Sequence, residues 1–356
     1  MIDEIVSVTE ALIRYRTTHR NPEQIRSCAA LIEDWLTERG VDCRRIDHAG
    51  TPSVVALPPS GRAPVLLMSH IDVVEGAEAL FAPRVESGRI YGRGSLDDKY
   101  AAALSMVLMA DRLRQGKRSS LGILITGDEE AGGFNGARHA LQDIRADFCI
   151  ALDGGSVDKI VVKEKGVLKL RLVASGKAAH GSRPWLGENA IESLMADCAR
   201  IREAFGENRP EAWHRTLNVS QVAGGGSFNQ VPDRAEAVFD IRYTEAEDPD
   251  ELAAHLQKAV SGKIIVEAKE PLFFGGTSPY LERLLSAAEG TVTGFEHGAS
   301  DARFLSDFGI DGIVWGADGD KSAHAADEHV DINSIARLAE HLSAFLDDVE
   351  ADAAAP

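Results

Sequence analysis

The residues able to do chemistry recur along the sequence, most of them just after a short apolar run. His70 and Asp72 form an H-x-D after Val65-Leu66-Leu67-Met68. In extended chain, residues i and i+2 share a face, so the carboxylate can brace the imidazole, as a metal-binding histidine commonly requires. Gly92-Arg93-Gly94-Ser95-Leu96-Asp97-Asp98-Lys99 offers tight turns and a carboxylate at a predicted helix start. Asp97 there would serve equally as an N-cap, and no Walker spacing supports a phosphate loop. Gly127-Asp128-Glu129-Glu130-Ala131-Gly132-Gly133 puts three acids in one turn, where their repulsion is relieved either by a cation or by full solvation. Asp153 precedes Gly154-Gly155, and His324 sits before the last predicted helix. Two imidazoles with several carboxylates suit zinc, manganese or cobalt better than copper or calcium.

The elements that must position these groups alternate in type. Ile25, Cys28, Ala29, Ile32, Trp35 and Leu36 recur at helical spacing after Pro22, predicting a helix to about Arg39. Val65–Met68, Ile123–Thr126 and Phe148–Leu152 read as buried strands, with a helix from about Lys99 to Leu113 between the first two. That order predicts an α/β domain with a mixed, largely parallel sheet and helices on both faces, whose site gathers outside the carboxyl ends of the strands. After about Lys165 the pattern becomes β-α-β-β-α-β. Leu168, Leu170 and Leu172 alternate with wetter residues, and Ile191, Leu194, Met195, Cys198, Ile201 and Phe205 form a helical stripe. This is an α+β ferredoxin-like unit. The expected organisation is a catalytic domain over residues 1–165 and 271–356, with residues 166–270 inserted as a lid. The Ala-rich tail 351–356 is expected to fray.

Composition narrows the function. The 356 residues carry 38 Lys+Arg against 56 Asp+Glu, a formal net charge of -18, which disfavours nucleic acid and anionic membrane as partners. No apolar run approaches the ~18 residues of a membrane span, and the N-terminus lacks a secretory pattern. Cys28, Cys43, Cys149 and Cys198 have no C-x-x-C spacing, so free thiols and a cytoplasmic setting are expected.

Taken in order, His70-Ile71-Asp72, Gly92-Arg93-Gly94-x-x-Asp97-Asp98-Lys99, Asp128-Glu129-Glu130, Asp153-Gly154-Gly155 and Ala323-His324 resemble the two-zinc metallopeptidase and deacylase family. Its members include carboxypeptidase G, succinyl-diaminopimelate desuccinylase, acetylornithine deacetylase and aminoacylase. The resemblance implies hydrolysis of an amide bond in a small peptide or N-acyl amino acid, with two divalent metals per chain, zinc first and cobalt or manganese next. It implies that His70 and Asp153 hold one metal, Glu130 and His324 the other, and that Asp97 bridges them ahead of a cis peptide. Asp72 would brace His70, and Glu129 would be the general base. Ala179-His180-Gly181-Ser182 resembles a family element whose histidine reaches the oxyanion, often across a dimer interface in the lid domain. Asn229 before Val231-Pro232, Arg242 in Asp240-Ile241-Arg242, and Arg303 in Ser300-Asp301-Ala302-Arg303-Phe304 resemble elements that bind the substrate's polar end. The other reading is a metal-binding protein of the same fold without catalysis, a regulatory or scaffold dimer. Tyr100 stands where a small glycine is common in the family, and Val73-Val74-Glu75-Gly76 lacks the Pro and Trp that many of its members carry soon after the H-x-D, so the resemblance does not name a substrate.

Overall fold

The computed structural model describes residues 1–353 apart from residues 118, 208 and 277; the end of the Ala-rich tail lies outside the described residues. The chain forms two compact units. The first comprises Met1–Lys163, Phe274–Glu296 and Ser300–Pro356, and the second Glu164–Phe273 with His297–Ala299.

In the first unit the apolar runs form the centre of a mixed sheet. Leu121–Thr126, Arg62–His70, Arg145–Ala151 and Asp311–Val314 lie side by side and parallel, with His70 opposite Thr126 and Met68 opposite Ala151. Antiparallel strands flank them: Thr51–Ala56 and then Arg44–His48 on one side, Lys159–Glu164 on the other. Every residue of Leu121–Thr126 is buried, as expected of a strand covered on both faces. Helix Pro22–Glu38 buries Ile25, Cys28, Ala29, Ile32 and Leu36, and helix Ile332–Ala353 buries Ile335, Leu338, Leu342 and Phe345. Helix Lys99–Arg114 is buried almost all round. The four cysteines are free. No described helix is long and apolar enough to cross a membrane.

The second unit is a four-stranded antiparallel sheet in the spatial order Thr216–Gly224, Arg234–Tyr243, Gly166–Ser175, Lys263–Glu270, carrying helices Ala190–Phe205 and Pro249–Ala259. Asn189 and Asp248 cap these helices, each accepting two first-turn N–H groups. One expected core residue faces out. Met195 is 67% exposed, because Leu194 and Ile201 define the buried stripe and Met195 is turned about 100° from Leu194.

Candidate metal centre

The parallel strands deliver the acidic and imidazole groups to one edge of the first unit. His70 ends its strand, Asp153 lies two residues past Ala151, and Glu129 and Glu130 open a 3-10 turn after Thr126. Asp97 precedes helix Lys99–Arg114, joined to Asp98 by a cis peptide, and His324 adopts φ 66° in the loop before strand His329–Asp331. These residues fall into two groups, His70–Glu129–Asp153 and Asp97–Glu130–His324, with ligand atoms within 4.8 Å of one another in each. Asp97 joins them: Oδ1 is 2.9 Å from His70 Nε2 and Oδ2 is 3.0 Å from His324 Nε2. His324 Nε2 is also 3.0 Å from Glu130 Oε1, and His70 Nε2 is 3.9 Å from Asp153. Access is graded, from the His70 side chain at 2% exposure to that of His324 at 50%.

The donor chemistry tests whether metal ions fit. His70 Nδ1 is 3.0 Å from the Asp72 carbonyl oxygen, so Nδ1 must carry a hydrogen. Nε2 of a neutral ring then aims its lone pair at a carboxylate oxygen, which is repulsive unless a proton or a cation intervenes. His324 poses the same problem between two carboxylates. Its pKa is pushed up to about 10 by the Asp97 and Glu130 hydrogen bonds. Burial would lower His70, yet Asp72 and Asp97 raise it well above the usual value. Against its own burial, Asp97 is held below the usual carboxylate range by His324 and His70. With Asp97 facing both rings, each imidazole has two carboxylates beside it, Asp97 and Asp153 at His70 and Asp97 and Glu130 at His324, a donor set that divalent zinc accepts. Burial, then Asp153 and Asp301, raises Glu129 well above the usual range.

A set of buried partners fixes these ligands. Asp72, fully buried, accepts the Glu129 and Glu130 N–H groups at 3.0 Å each, and its Oδ1 is 3.4 Å from His70 Nδ1. His19 Nε2 reaches Asp72 Oδ2 at 3.1 Å, although its position in the sequence gave it no role. Glu328 accepts the N–H groups of Gly94, Leu96 and Asp97 at 2.9, 3.2 and 3.3 Å and pairs with Arg93, whose other terminal nitrogen donates to the His324 carbonyl at 3.0 Å. The Arg93–Glu328 pair thus ties the loop bearing Asp97 to the loop bearing His324. Tyr100, next to Lys99 in the first turn of its helix, is buried. Its hydroxyl donates to the Leu152 carbonyl at 3.1 Å and accepts from Ala317 N at 2.7 Å, supporting the strand end before Asp153.

The three adjacent acids divide their work. Asp128 turns away from Glu129 and Glu130 to accept from Asn135 N at 2.8 Å, closing the loop. A Cβ at Gly136 would lie 2.1 Å from Asp128 Oδ1, so this closure requires glycine. Arg303 is 2% exposed. Its guanidinium donates to the Ser300 and Gly132 carbonyls at 2.6 and 2.8 Å and lies 3.8 Å from Glu129 Oε1. In this state it braces the acidic loop.

Within the second unit, His180 and Asn229 come together. His180 pairs in register with Gln230, and Gly181 N donates to the Asn229 carbonyl at 2.6 Å. His180 Nδ1 accepts from Ser182 N at 3.1 Å and lies 2.8 Å from Ser182 Oγ, which leaves Nε2 to carry the ring N–H of an exposed side chain. Arg242 is not part of this pair. It lies eight residues along its strand from Arg234, roughly 26 Å at strand rise. It donates to Asp240 at 2.8 and 3.3 Å.

Comparison with known proteins agrees with this architecture. The chain is 29% identical over 350 residues to a succinyl-diaminopimelate desuccinylase of Parvibaculum lavamentivorans, covering 87% of each. It is similar in fold to a tripeptidase from Staphylococcus aureus, with a TM-score of 0.84 at 21% identity over 99% of both chains. It is also similar to an M20 family metallo-carboxypeptidase from Sulfolobus solfataricus, with a TM-score of 0.81 at 22% identity over 97% of this chain and 98% of that one. Residues 66–348, well over half of the sequence, match the model of Peptidase family M20/M25/M40, so the chain belongs to that family and is a hydrolase of amide bonds.

Proposed function

We propose that the chain cleaves the amide bond of a small peptide or an N-acyl amino acid at two divalent metal ions, zinc by preference, with Glu129 as general base. The observation that carries this is the sharing of Asp97: one carboxylate faces two imidazoles through its two oxygens, and each imidazole has a further carboxylate beside it. His70 and Asp153 would hold one ion, Glu130 and His324 the other, and Asp97 both. When bound, such ions act as Lewis acids on the scissile carbonyl and make water acidic enough to attack near neutral pH.

The chain's own groups supply the rest. Glu129 takes a proton as the water oxygen bonds to the carbonyl carbon, then delivers it to the nitrogen as the C–N bond breaks. Burial suits this carboxylate to hold a proton between the two steps. Asp72 keeps the His70 ring oriented. His180 donates from Nε2 to the oxyanion, and Asn229 beside it meets the substrate's polar end. Arg303 would take a substrate carboxylate in place of the main-chain carbonyls it now contacts, and Arg242 would meet the substrate's polar end in place of Asp240. The edge strand Thr216–Gly224, which carries exposed Val222, with Met195 on the neighbouring helix, is where we place a homodimer contact through the lid. A cytoplasmic setting accords with the free thiols.

The test is a panel of dipeptides, tripeptides and N-acyl amino acids, each with its amidated analogue, assayed with zinc, cobalt and manganese. Glu129→Ala should lower kcat by about 10³-fold or more while two metals per chain remain. Normal turnover in that variant would remove Glu129 as the base, and a metal-loaded wild type inert on the whole panel would favour the non-catalytic reading.

A further inference from the structure

His19 lies outside the stretch that matches the family and outside every motif quoted above. Its neighbours nonetheless fix its place. After helix Ile2–Ile13 the chain runs beside the segment that continues from His70. Thr17 Oγ1 donates to the Ile71 carbonyl at 2.5 Å, and Val73 N donates to the Thr17 carbonyl at 3.0 Å, so Thr17 brackets Asp72 from both sides. Thr17 and Thr18 are fully buried, and Arg16 pairs with Glu75 at 2.9 Å. This docking holds the half-exposed His19 ring with Nε2 3.1 Å from Asp72 Oδ2.

The Asp72 carboxylate is out of contact with water and depends on its donors, because an ionised group buried without them is strongly destabilising. Oδ1 takes the Glu129 N–H and lies beside His70 Nδ1, while Oδ2 takes the Glu130 N–H and His19. Without His19, Oδ2 keeps only one of these two donors, and the carboxylate is freer to rotate. Its rotation would move both the ring of His70 and the turn carrying Glu129 and Glu130.

We propose that His19 is a positioning residue of the metal centre, the side chain that locks Asp72 in the orientation that aims His70 and sets the Glu129–Glu130 turn. This rests on the metal-dependent reading above. His19 touches neither a ligand nor a reacting atom; it acts through Asp72.

The experiment compares full-length wild type, His19→Ala and His19→Gln. The Gln amide nitrogen occupies nearly the place of the imidazole Nε2 and can donate to the same oxygen. Four quantities are read: the chelator concentration that removes half the zinc, kcat and KM on a substrate from the panel, and the melting midpoint of the metal-free protein. Partners behind metal ligands commonly contribute 10–100-fold to affinity or rate. His19→Ala should therefore lose zinc at about 10-fold lower chelator and lose about 10-fold in kcat, with KM and metal-free melting little changed, and His19→Gln should recover most of both. Unchanged zinc retention and kcat in His19→Ala would overturn the proposal, as would a rise in KM alone, which would make His19 a substrate contact. Equal losses in both variants together with lower metal-free melting would reduce it to a structural residue. Wild type that bound no zinc would overturn the metal-dependent reading too, whereas a wild type with two ions and an indifferent His19→Ala would sink only this inference.

Discussion

An imidazole presents a different nitrogen to each neighbour, so the partner of one nitrogen decides what the other can do. His70 has Nδ1 against a carbonyl and must present Nε2 as a lone pair to any metal. His180 is the reverse: two contacts from Ser182 make Nδ1 the acceptor and leave Nε2 as the donor. Ser182→Ala keeps the main-chain N–H and loses only the hydroxyl. It should lower kcat modestly, about fivefold, whereas His180→Ala, which removes an oxyanion donor outright, should cost about 10²–10³-fold. Both should leave metal content unchanged. Equal effects would mean that the hydroxyl, not the ring, touches the substrate. That His70, Asp97, Glu130, Asp153 and His324 come together was legible from sequence, because the first four fall at strand ends or helix starts in fixed strings and His324 in a loop string before the last helix. His19 and Glu328 were not, since a residue that acts by contacting a distant buried carboxylate or amide leaves no local pattern. Arg303 shows another limit: its type announced a planar fork, but only the fold reveals that its donors already go to main-chain carbonyls.

Between elements, the decisive feature is the buried Arg93–Glu328 pair, because helix Lys99–Arg114 and strand His329–Asp331 each begin just past a loop carrying a proposed ligand. Glu328 satisfies three N–H groups of one loop, and Arg93 holds a carbonyl of the other. Both side chains are almost wholly buried, at 4% and 0% exposure, so removing one charge strands the other. Glu328→Gln should destabilise the fold by about 3–5 kcal/mol in denaturant unfolding. Arg93→Met combined with Glu328→Gln should recover part of that stability and still retain zinc poorly, because the loops lose their tie. Full zinc retention in the double variant would show that the loops are held by other means. The elements themselves were partly legible. All-apolar runs announced the buried strands, and 3–4-residue spacing announced helix Pro22–Glu38. Strand Arg44–His48 gave no such signal, being polar and exposed along most of its length, and it is held as a strand by its pairing with Thr51–Ala56.

For the molecule as a whole, the two units differ in what metal binding can stabilise. Every proposed ligand, with Asp72, Glu328 and Arg93 behind it, belongs to the first unit, and none lies between Glu164 and Phe273. A chain with net charge -18 that gathers Asp97, Glu129, Glu130 and Asp153 in one place stores like-charge repulsion there, which bound cations relieve. Ligand present at about 100 times its Kd adds about 2.7 kcal/mol to the state that binds it. That free energy is linked to the opening of the structure that forms the site and not to opening elsewhere. Hydrogen exchange with and without chelator should therefore divide the chain. Metal removal should speed exchange in residues 92–98, 127–136 and 322–328, and leave the strands Gly166–Ser175 and Arg234–Tyr243 at their original rates. Acceleration of equal size in both sheets would mean that the chain opens as one cooperative body. In that case the metal would be a support of the entire fold, and the low metal cost expected for Glu129→Ala would no longer follow.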